Sequence, residues 1–161
     1  MSKLLVKSQW LVAILLTSLL VSSGCAVKWT PYYDPTLDSK ATSFQQNLES
    51  YLTKLESVQA PACTYPQNLD YYEQASAELA VMQTRVQASP HNTQLLQIIQ
   101  ALNKNFADLK TLQQGAGSNC LNSTVVEAAR SGFEPIFESL LAYELALKAN
   151  EAPATAPTLK H

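Results

Sequence analysis

The stretch that decides the fold is residues 34–58, DPTLDSKATSFQQNLESYLTKLESV. Asp34 is a strong helix N-cap residue, and Pro35 suits the first helical position. Apolar residues then recur at alternating steps of four and three, which predicts a helix packed against other helices. These residues are Leu37, Ala41, Phe44, Leu48, Tyr51, Leu55 and Val58. We expect the helix to end before Ala60-Pro61, because a residue that precedes proline disfavours the α conformation.

Two further segments have the same periodicity. Helix 2 is predicted from about 67 to 88, and its apolar stripe consists of Tyr72, Ala75, Leu79, Met82 and Val86. Helix 3 is predicted from about 93 to 114, followed by Gly115 at the C′ position. Its stripe consists of Leu95, Ile98, Ile99, Leu102, Phe106, Leu109 and Leu112. The short connector at 89–92 joins these two helices and forces them to pack antiparallel.

Helix 4 is predicted to begin with a capping box formed by Thr124 and Glu127. Gly132 and Pro135 interrupt its pattern, and a proline inside a helix removes one backbone hydrogen bond. We therefore expect a kink or a break near 131–134. The pattern then continues through Ile136, Phe137, Leu140, Leu141, Leu145 and Leu147.

Four helices joined by short or moderate loops predict an all-α, up-down-up-down four-helix bundle over residues 34–149. Low glycine content within the predicted helices and abundant alanine, leucine, glutamine and glutamate agree with this fold class. Residues 150–161 contain few apolar side chains, which predicts a disordered tail.

The N-terminus carries a different pattern. Lys3 and Lys7 precede a twelve-residue apolar run, Trp10 to Val21, which is too short to span a bilayer. The small residues Ser22-Ser23-Gly24 and then Cys25 follow it directly. Residues 21–25 resemble the lipobox of bacterial lipoproteins, although position 22 is Ser where that family usually has a larger aliphatic residue. The alternative is an ordinary secretory signal peptide that leaves Cys25 as a plain thiol.

The resemblance implies that residues 1–24 are removed and that Cys25 carries the lipid. Ala26 in place of Asp implies transfer to the outer membrane, on its periplasmic side. Residues 25–33 would then form a lipidated tether, in which Trp29, Tyr32 and Tyr33 either enter the headgroup layer or pack on the bundle. The mature part resembles small helical lipoproteins that have no assigned activity.

The charge balance limits the choice of partners. Removal of residues 1–24 leaves nine basic against thirteen acidic residues, a net charge of −4. Nucleic-acid binding needs clustered lysine and arginine, so nucleic acid is not an expected partner.

The cysteines test the predicted topology. Cys63 lies in the first loop and Cys120 in the third, and these loops share one end of an up-down-up-down bundle. Export makes oxidation possible, and lipidation would occupy Cys25. We therefore predict a disulfide between Cys63 and Cys120; the alternative is two unrelated thiols.

The sequence contains few of the residues and motifs that catalytic sites use. His91 is the single histidine of the predicted bundle, and no haem-attachment, zincin, di-iron or phosphate-loop motif occurs. We expect no catalytic residue, no metal site and no cofactor. The acidic side chains Glu49, Glu56, Glu78, Glu138 and Glu144 fall mainly outside the apolar stripes, which favours a solvated face.

Two classes of function remain open. The first is a lipid-anchored interaction or accessory protein with an envelope protein as partner, and the second is a small-ligand carrier or enzyme with a site in a groove beside Pro135. For the first class, Tyr65, Tyr71 and Leu121 form a candidate docking patch near the two cysteines. Amphipathic rings are favoured in protein interfaces; the alternative is that these rings merely cap the bundle.

Overall fold

The computed structural model describes residues 31–151. The predicted signal segment, Cys25 and the first part of the tether lie outside the described residues, and so does the tail from residue 152 onward. Four α-helices follow in order, with one turn of 3-10 helix at Tyr65–Asn68. The α-helices are α1 (Pro35–Ser57), α2 (Leu69–Ala88), α3 (Thr93–Gly115) and α4 (Ser123–Glu151).

The helices pack as neighbours around a square. α1 contacts α2 and α4, and α3 contacts the same two helices, so each helix lies between two others. This arrangement confirms the predicted four-helix bundle. We call the end that carries the α1–α2 and α3–α4 loops the distal end. The proximal end carries residues 31–34, the α2–α3 connector and the last turns of α4.

The core is built from the predicted stripes. Six of the seven stripe residues of α1 are buried, and Val58, which follows the helix, is half-buried. All five stripe residues of α2 are buried. Phe44 meets Phe106 edge to face at 5.8 Å between ring centroids, which joins α1 to α3 across the bundle. Edge-to-face geometry of this kind stabilises aromatic pairs beyond the burial of their area.

Asp34 fixes the start of α1. One carboxylate oxygen accepts hydrogen bonds from the backbone amides of Thr36, at 2.9 Å, and Leu37, at 3.2 Å, as an N-cap does. The guanidinium of Arg85 on α2 donates to both carboxylate oxygens, at 2.8 and 3.0 Å. This pairing lowers the pKa of Asp34. One side chain therefore caps α1 and ties its first turn to the end of α2.

Helix α4 passes through Pro135 without a break, so of the two predicted outcomes the break does not occur. Close by, the side-chain amide of Asn105 on α3 donates to the backbone carbonyl of Gly132, at 2.8 Å. The carbonyl that loses its helical donor at Pro135 is that of Ser131, so the Asn105 bond joins α3 to α4 beside the proline and does not replace the missing one. α4 also continues to Glu151, slightly beyond the predicted end of the bundle.

Two predictions about helix ends are wrong. The cap of α4 is Asn122, whose side chain accepts from the amide of Val125 at 2.9 Å. The predicted capping box does not form, because the helix begins at Ser123 and Thr124 therefore lies inside its first turn, while Glu127 pairs with Arg130. Gly115 is the last residue of α3 rather than its C′ residue. The left-handed backbone conformation, with φ of 60°, falls on Gly117.

Replacement of Asp34 tests the double role of this carboxylate. We expect Asp34→Ala to lower the free energy of unfolding by about 1–2 kcal/mol, because a cap and an exposed ion pair are both lost. Asp34→Asn is the matched control, since its side-chain oxygen still caps the helix and only the charge is removed. Urea unfolding at pH 7 measures both variants. Equal losses for Ala and Asn would show that the cap contributes nothing.

Candidate functional site

The distal end is held by the predicted disulfide. Cys63 and Cys120 are bonded, with their Cα atoms 5.3 Å apart, which confirms the pairing. Cys63 is fully buried. The loop around it is organised by Asn68, whose amide donates to the carbonyls of Ala62 and Thr64, both at 2.8 Å. The first loop is therefore fixed both covalently and by buried hydrogen bonds.

A buried glutamine links this loop to three helices. Gln113 on α3 is fully buried. Its side-chain oxygen accepts from the hydroxyl of Tyr51 on α1, at 2.6 Å, and from the hydroxyl of Tyr72 on α2. Its amide nitrogen donates to the backbone carbonyl of Cys63. The distal core is thus a hydrogen-bonded polar cluster, and we call Tyr51, Tyr72, Gln113 and the Cys63 carbonyl the glutamine network.

Sequence reasoning missed Gln113, although a signal was present. The buried residues of α3 continue at steps of four and three, and Gln113 follows Leu109 in that register: Leu95, Ile99, Leu102, Phe106, Leu109 and Gln113. The prediction placed Leu112 in the stripe instead. Leu112 is 49 % exposed. The register of the helix therefore decides which of the two neighbours is buried, and hydrophobicity does not.

The residues of the predicted docking patch lie near the distal end but do not form one exposed surface. Tyr71 stacks on Tyr51 of α1 with ring centroids 3.7 Å apart. Tyr65 tilts against Tyr72 at 5.2 Å, and the ammonium of Lys110 on α3 lies 6.0 Å from the Tyr65 ring. Tyr71 thus faces α1 and Tyr65 faces α3, on either side of Tyr72.

Each member of the predicted patch is half-buried. Leu121 packs against the hydrophobic core beside the disulfide, and the two tyrosines pack against the same core. Burial raises the pKa values of Tyr51, Tyr71 and Tyr72, so these phenols are neutral at physiological pH. The patch therefore exposes parts of two tyrosines and of one leucine to solvent, and the Tyr71 hydroxyl is not among the exposed atoms.

A groove between α1 and α2 opens beside the stacked tyrosines. It has a volume of about 340 Å³, within the range of small-molecule sites. Tyr51, Tyr71 and Phe44 form its aromatic wall, and Lys54 and Glu78 contribute charged groups. The Tyr71 hydroxyl is buried, and within residues 31–151 it has no hydrogen-bond partner.

A second groove lies where the carrier or enzyme alternative expects it, between α3 and α4 beside Pro135. It measures about 370 Å³, and its seven lining residues are all neutral: Gln94, Gln97, Ile98, Ala101, Pro135, Ile136 and Ser139. The Ser139 hydroxyl donates to the carbonyl of Pro135, at 2.7 Å, inside its own helix. The lining therefore supplies no acid, base or activated nucleophile.

One of the five acidic residues expected on a solvated face is buried. Glu144 is 2 % exposed, and it continues the buried register of α4 after Phe133, Phe137 and Leu140. Within the described part of the chain neither carboxylate oxygen has a hydrogen-bond partner. Burial, together with the nearby charges of Asp38 and Asp34, raises the pKa of Glu144 to about 7. The expectation of a solvated Glu144 is wrong because helix register outweighs side-chain polarity here.

The other acidic residues lie at or near the surface. Glu49 and Glu56 on α1 pair with Arg130 on α4, at 2.7 and 2.9 Å, and Glu127 pairs with the same guanidinium at 2.6 Å. These carboxylates raise the pKa of Arg130, and Arg130 lowers that of Glu56. Glu138 is exposed and Glu78 is half-buried. The Arg130 cluster joins α1 to α4 and has no free nucleophile.

Among residues 31–151, no group of three or more histidine, cysteine or acidic side chains is arranged to hold a metal ion. None of the described helices is long and apolar enough to cross a membrane. Comparison of the chain with protein-family models, with curated proteins and with solved structures gives no match.

Removal of the Gln113 side chain tests whether the glutamine network holds the distal end together. We expect Gln113→Ala to lower the free energy of unfolding by about 3 kcal/mol, since it leaves two buried hydroxyls and a carbonyl unpaired. Gln114→Ala, at the exposed neighbour, is the matched control and should change stability by less than about 0.5 kcal/mol. Guanidinium unfolding with the disulfide intact measures both. Equal stability of the two variants would contradict the role of Gln113.

Proposed function

We propose that this chain is a lipoprotein of the bacterial cell envelope, anchored through acylated Cys25 to the periplasmic side of the outer membrane. Its bundle acts there as an interaction or accessory module for an envelope protein. The observation that carries the proposal is the sequence at 21–25, an apolar run followed by small residues and Cys25. The disulfide supports the proposal, because such bonds persist in oxidising compartments such as the periplasm.

The geometry of the proximal end fits a tether that leads from the bundle to Cys25. Residue 31 is six positions after Cys25, and α1 begins at Pro35. Tyr33 packs on the bundle. Its hydroxyl donates to the carboxylate of Asp38 at 2.6 Å, and the ammonium of Lys148 lies 5.6 Å from the centroid of its ring. Of the two readings of the tether aromatics, packing on the bundle is thus supported for Tyr33. The distal end would then point away from the membrane.

The distal end is the surface we propose for docking. α1 has 23 residues and therefore a length of about 35 Å, which separates the distal end from the tether. Its disulfide and the glutamine network hold Tyr65 and Leu121 in place, which lowers the ordering cost of binding. The carrier or enzyme alternative has weaker support, since the groove beside Pro135 is lined by neutral side chains.

Substitution of Cys25 tests the anchor. We expect Cys25→Ser to abolish incorporation of labelled palmitate, and to leave uncleaved precursor in the inner membrane or release soluble protein. Cys63→Ser with Cys120→Ser is the control, since it removes the two disulfide-bonded cysteines and should leave palmitate incorporation intact. Sucrose-gradient fractionation and labelling measure the outcome. Unchanged outer-membrane fractionation of Cys25→Ser would refute the anchor.

Site-specific photo-crosslinking in the expressing cell tests the docking surface. We expect a photoreactive residue at Tyr65 or at Leu121 to give one discrete adduct with an envelope protein, because both side chains lie at the distal end. The same probe at Val81, which is 43 % exposed on α2, should not give that adduct. Helical circular dichroism of each variant controls for folding. An identical adduct pattern from Val81, or none from the distal positions of a folded protein, would contradict the docking surface.

A further inference from the structure

The proximal end contains a buried acid that the bundle does not satisfy. Glu144 is 2 % exposed, and in the part of the chain that the structure describes both its oxygens lack a hydrogen-bond partner. A buried carboxylate without a partner carries a large desolvation cost, whereas the neutral carboxylic acid carries a far smaller one. The closed proximal end therefore accommodates Glu144 in its protonated form.

The charged groups around Glu144 increase this preference. Asp34 and Asp38 on α1 are like charges whose electrostatic effect reaches Glu144. Arg85 on α2, a candidate counter-ion, is held by Asp34 through both carboxylate oxygens. On α4 itself, Lys148 lies over the Tyr33 ring rather than on Glu144. The neighbouring phenols of Tyr33 and Tyr143 have raised pKa values and stay neutral.

The other parts of the proximal end supply no hydrogen bond to the Glu144 carboxyl within the described residues. Glu144 lies seven residues before the last residue of α4, outside the last turn, where the partial charge of the helix C-terminus is weak. The α2–α3 connector at this end contributes His91 and the buried Asn92, whose side-chain oxygen has no partner within residues 31–151. This oxygen cannot donate to a carboxylate, and within the described residues the amide nitrogen of Asn92 makes no hydrogen bond to Glu144.

The part of α4 beyond Glu144 is weakly attached. Of residues 145–150, Leu147 alone is buried, while Leu145 is 65 % exposed. The Lys148–Tyr33 contact adds one attachment to the first turn of α1. α1 itself is tied to α2 independently, through Asp34 and Arg85. A segment with so few buried contacts can open without unfolding the bundle.

We propose that Glu144 is a proton-controlled latch, which keeps the end of α4 packed on α1 while its carboxyl is protonated and releases that end when the proton is lost. Release brings the carboxylate into water and separates Lys148 from Tyr33. It also exposes the apolar side chain of Leu147 at the end of the bundle from which the tether leaves. The distal end, closed by the disulfide, stays unchanged.

The direction of the pH dependence follows from the pKa values. The folded pKa of about 7 lies above the ordinary value of 4.5. The closed end is therefore most stable below pH 4.5, loses stability as the pH rises towards 7, and changes little above that. With these two values, linkage raises the ratio of open to closed molecules about thirtyfold between pH 5.5 and 8.5.

Hydrogen exchange of the full exported chain, purified in detergent, tests the latch. We expect the amide protection factors of Leu147 and Lys148, corrected for intrinsic exchange, to fall about thirtyfold from pH 5.5 to 8.5. Protection of the amides at 126–133 of the same helix should stay constant. An equal fall throughout the bundle would overturn local release, and constant protection of Leu147 and Lys148 would overturn the latch.

Three variants assign the effect to Glu144. Glu144→Gln should remove the pH dependence, because it keeps the shape of the protonated acid and cannot ionise. Glu138→Gln, at an exposed position of the same helix, should retain it. His91→Asn should also retain it; Asn tolerates the φ of 64° at that residue, so the backbone is preserved while the titratable ring is removed. Loss of the dependence in His91→Asn, or its persistence in Glu144→Gln, would overturn the assignment.

A direct titration covers the case in which a variant fails to fold. The side-chain carboxyl of Glu144 in the unmodified chain can be followed by carbon-13 NMR between pH 4 and 9. A midpoint near 7 that coincides with the change in protection supports the latch. A midpoint near the ordinary value of 4.5 would overturn it.

Discussion

Helix register is the constraint on which the rest of this structure depends. In each helix a line of residues at steps of four and three faces the other helices, and a side chain on that line is buried whatever its chemistry. α3 places Gln113 on the line, and α4 places Glu144 there. In each of these helices the preceding buried residue on the same line is a leucine, Leu109 in α3 and Leu140 in α4.

The two buried polar residues have opposite consequences because their surroundings differ. Gln113 meets two hydroxyl donors and one carbonyl acceptor, so its amide is satisfied at both atoms. Such a network fixes geometry, since each partner has to keep its place. Glu144 lies within the electrostatic reach of two carboxylates, and within residues 31–151 no hydrogen-bond donor reaches it. The same constraint thus produces a rigid distal end and a proximal end that depends on one proton.

Much of the fold could be predicted from the sequence because its signals are strong and local. The apolar periodicity of α1, the cap at Asp34 and the cysteines in alternate loops each have a direct physical cause, and all three appear in the structure. The buried polar residues of the candidate site were harder to predict, because helix register decides which of two adjacent residues is buried. Leu112 and Leu145 look like core residues by hydrophobicity, yet the helix turns them outward and buries Gln113 and Glu144. The cap at Asn122 was missed for a related reason: Thr124 and Asn122 are both good cap residues, and the prediction placed the start of the helix two residues too late.

The distribution of stability along the bundle bears on how the protein would act if it is anchored as proposed. A tether transmits force and restricts orientation at the proximal end, where α1 is secured to α2 by Asp34 and Arg85 rather than by α4. The end of α4 can therefore move without detaching α1 from the rest of the bundle. At the distal end, the disulfide and the glutamine network fix the first loop, so binding of a partner there would cost little conformational entropy of the loop. Binding at the distal end and proton-controlled release at the proximal end would then be energetically independent. The reason is that the apolar middle of the bundle packs in the same way whether the end of α4 is closed or released.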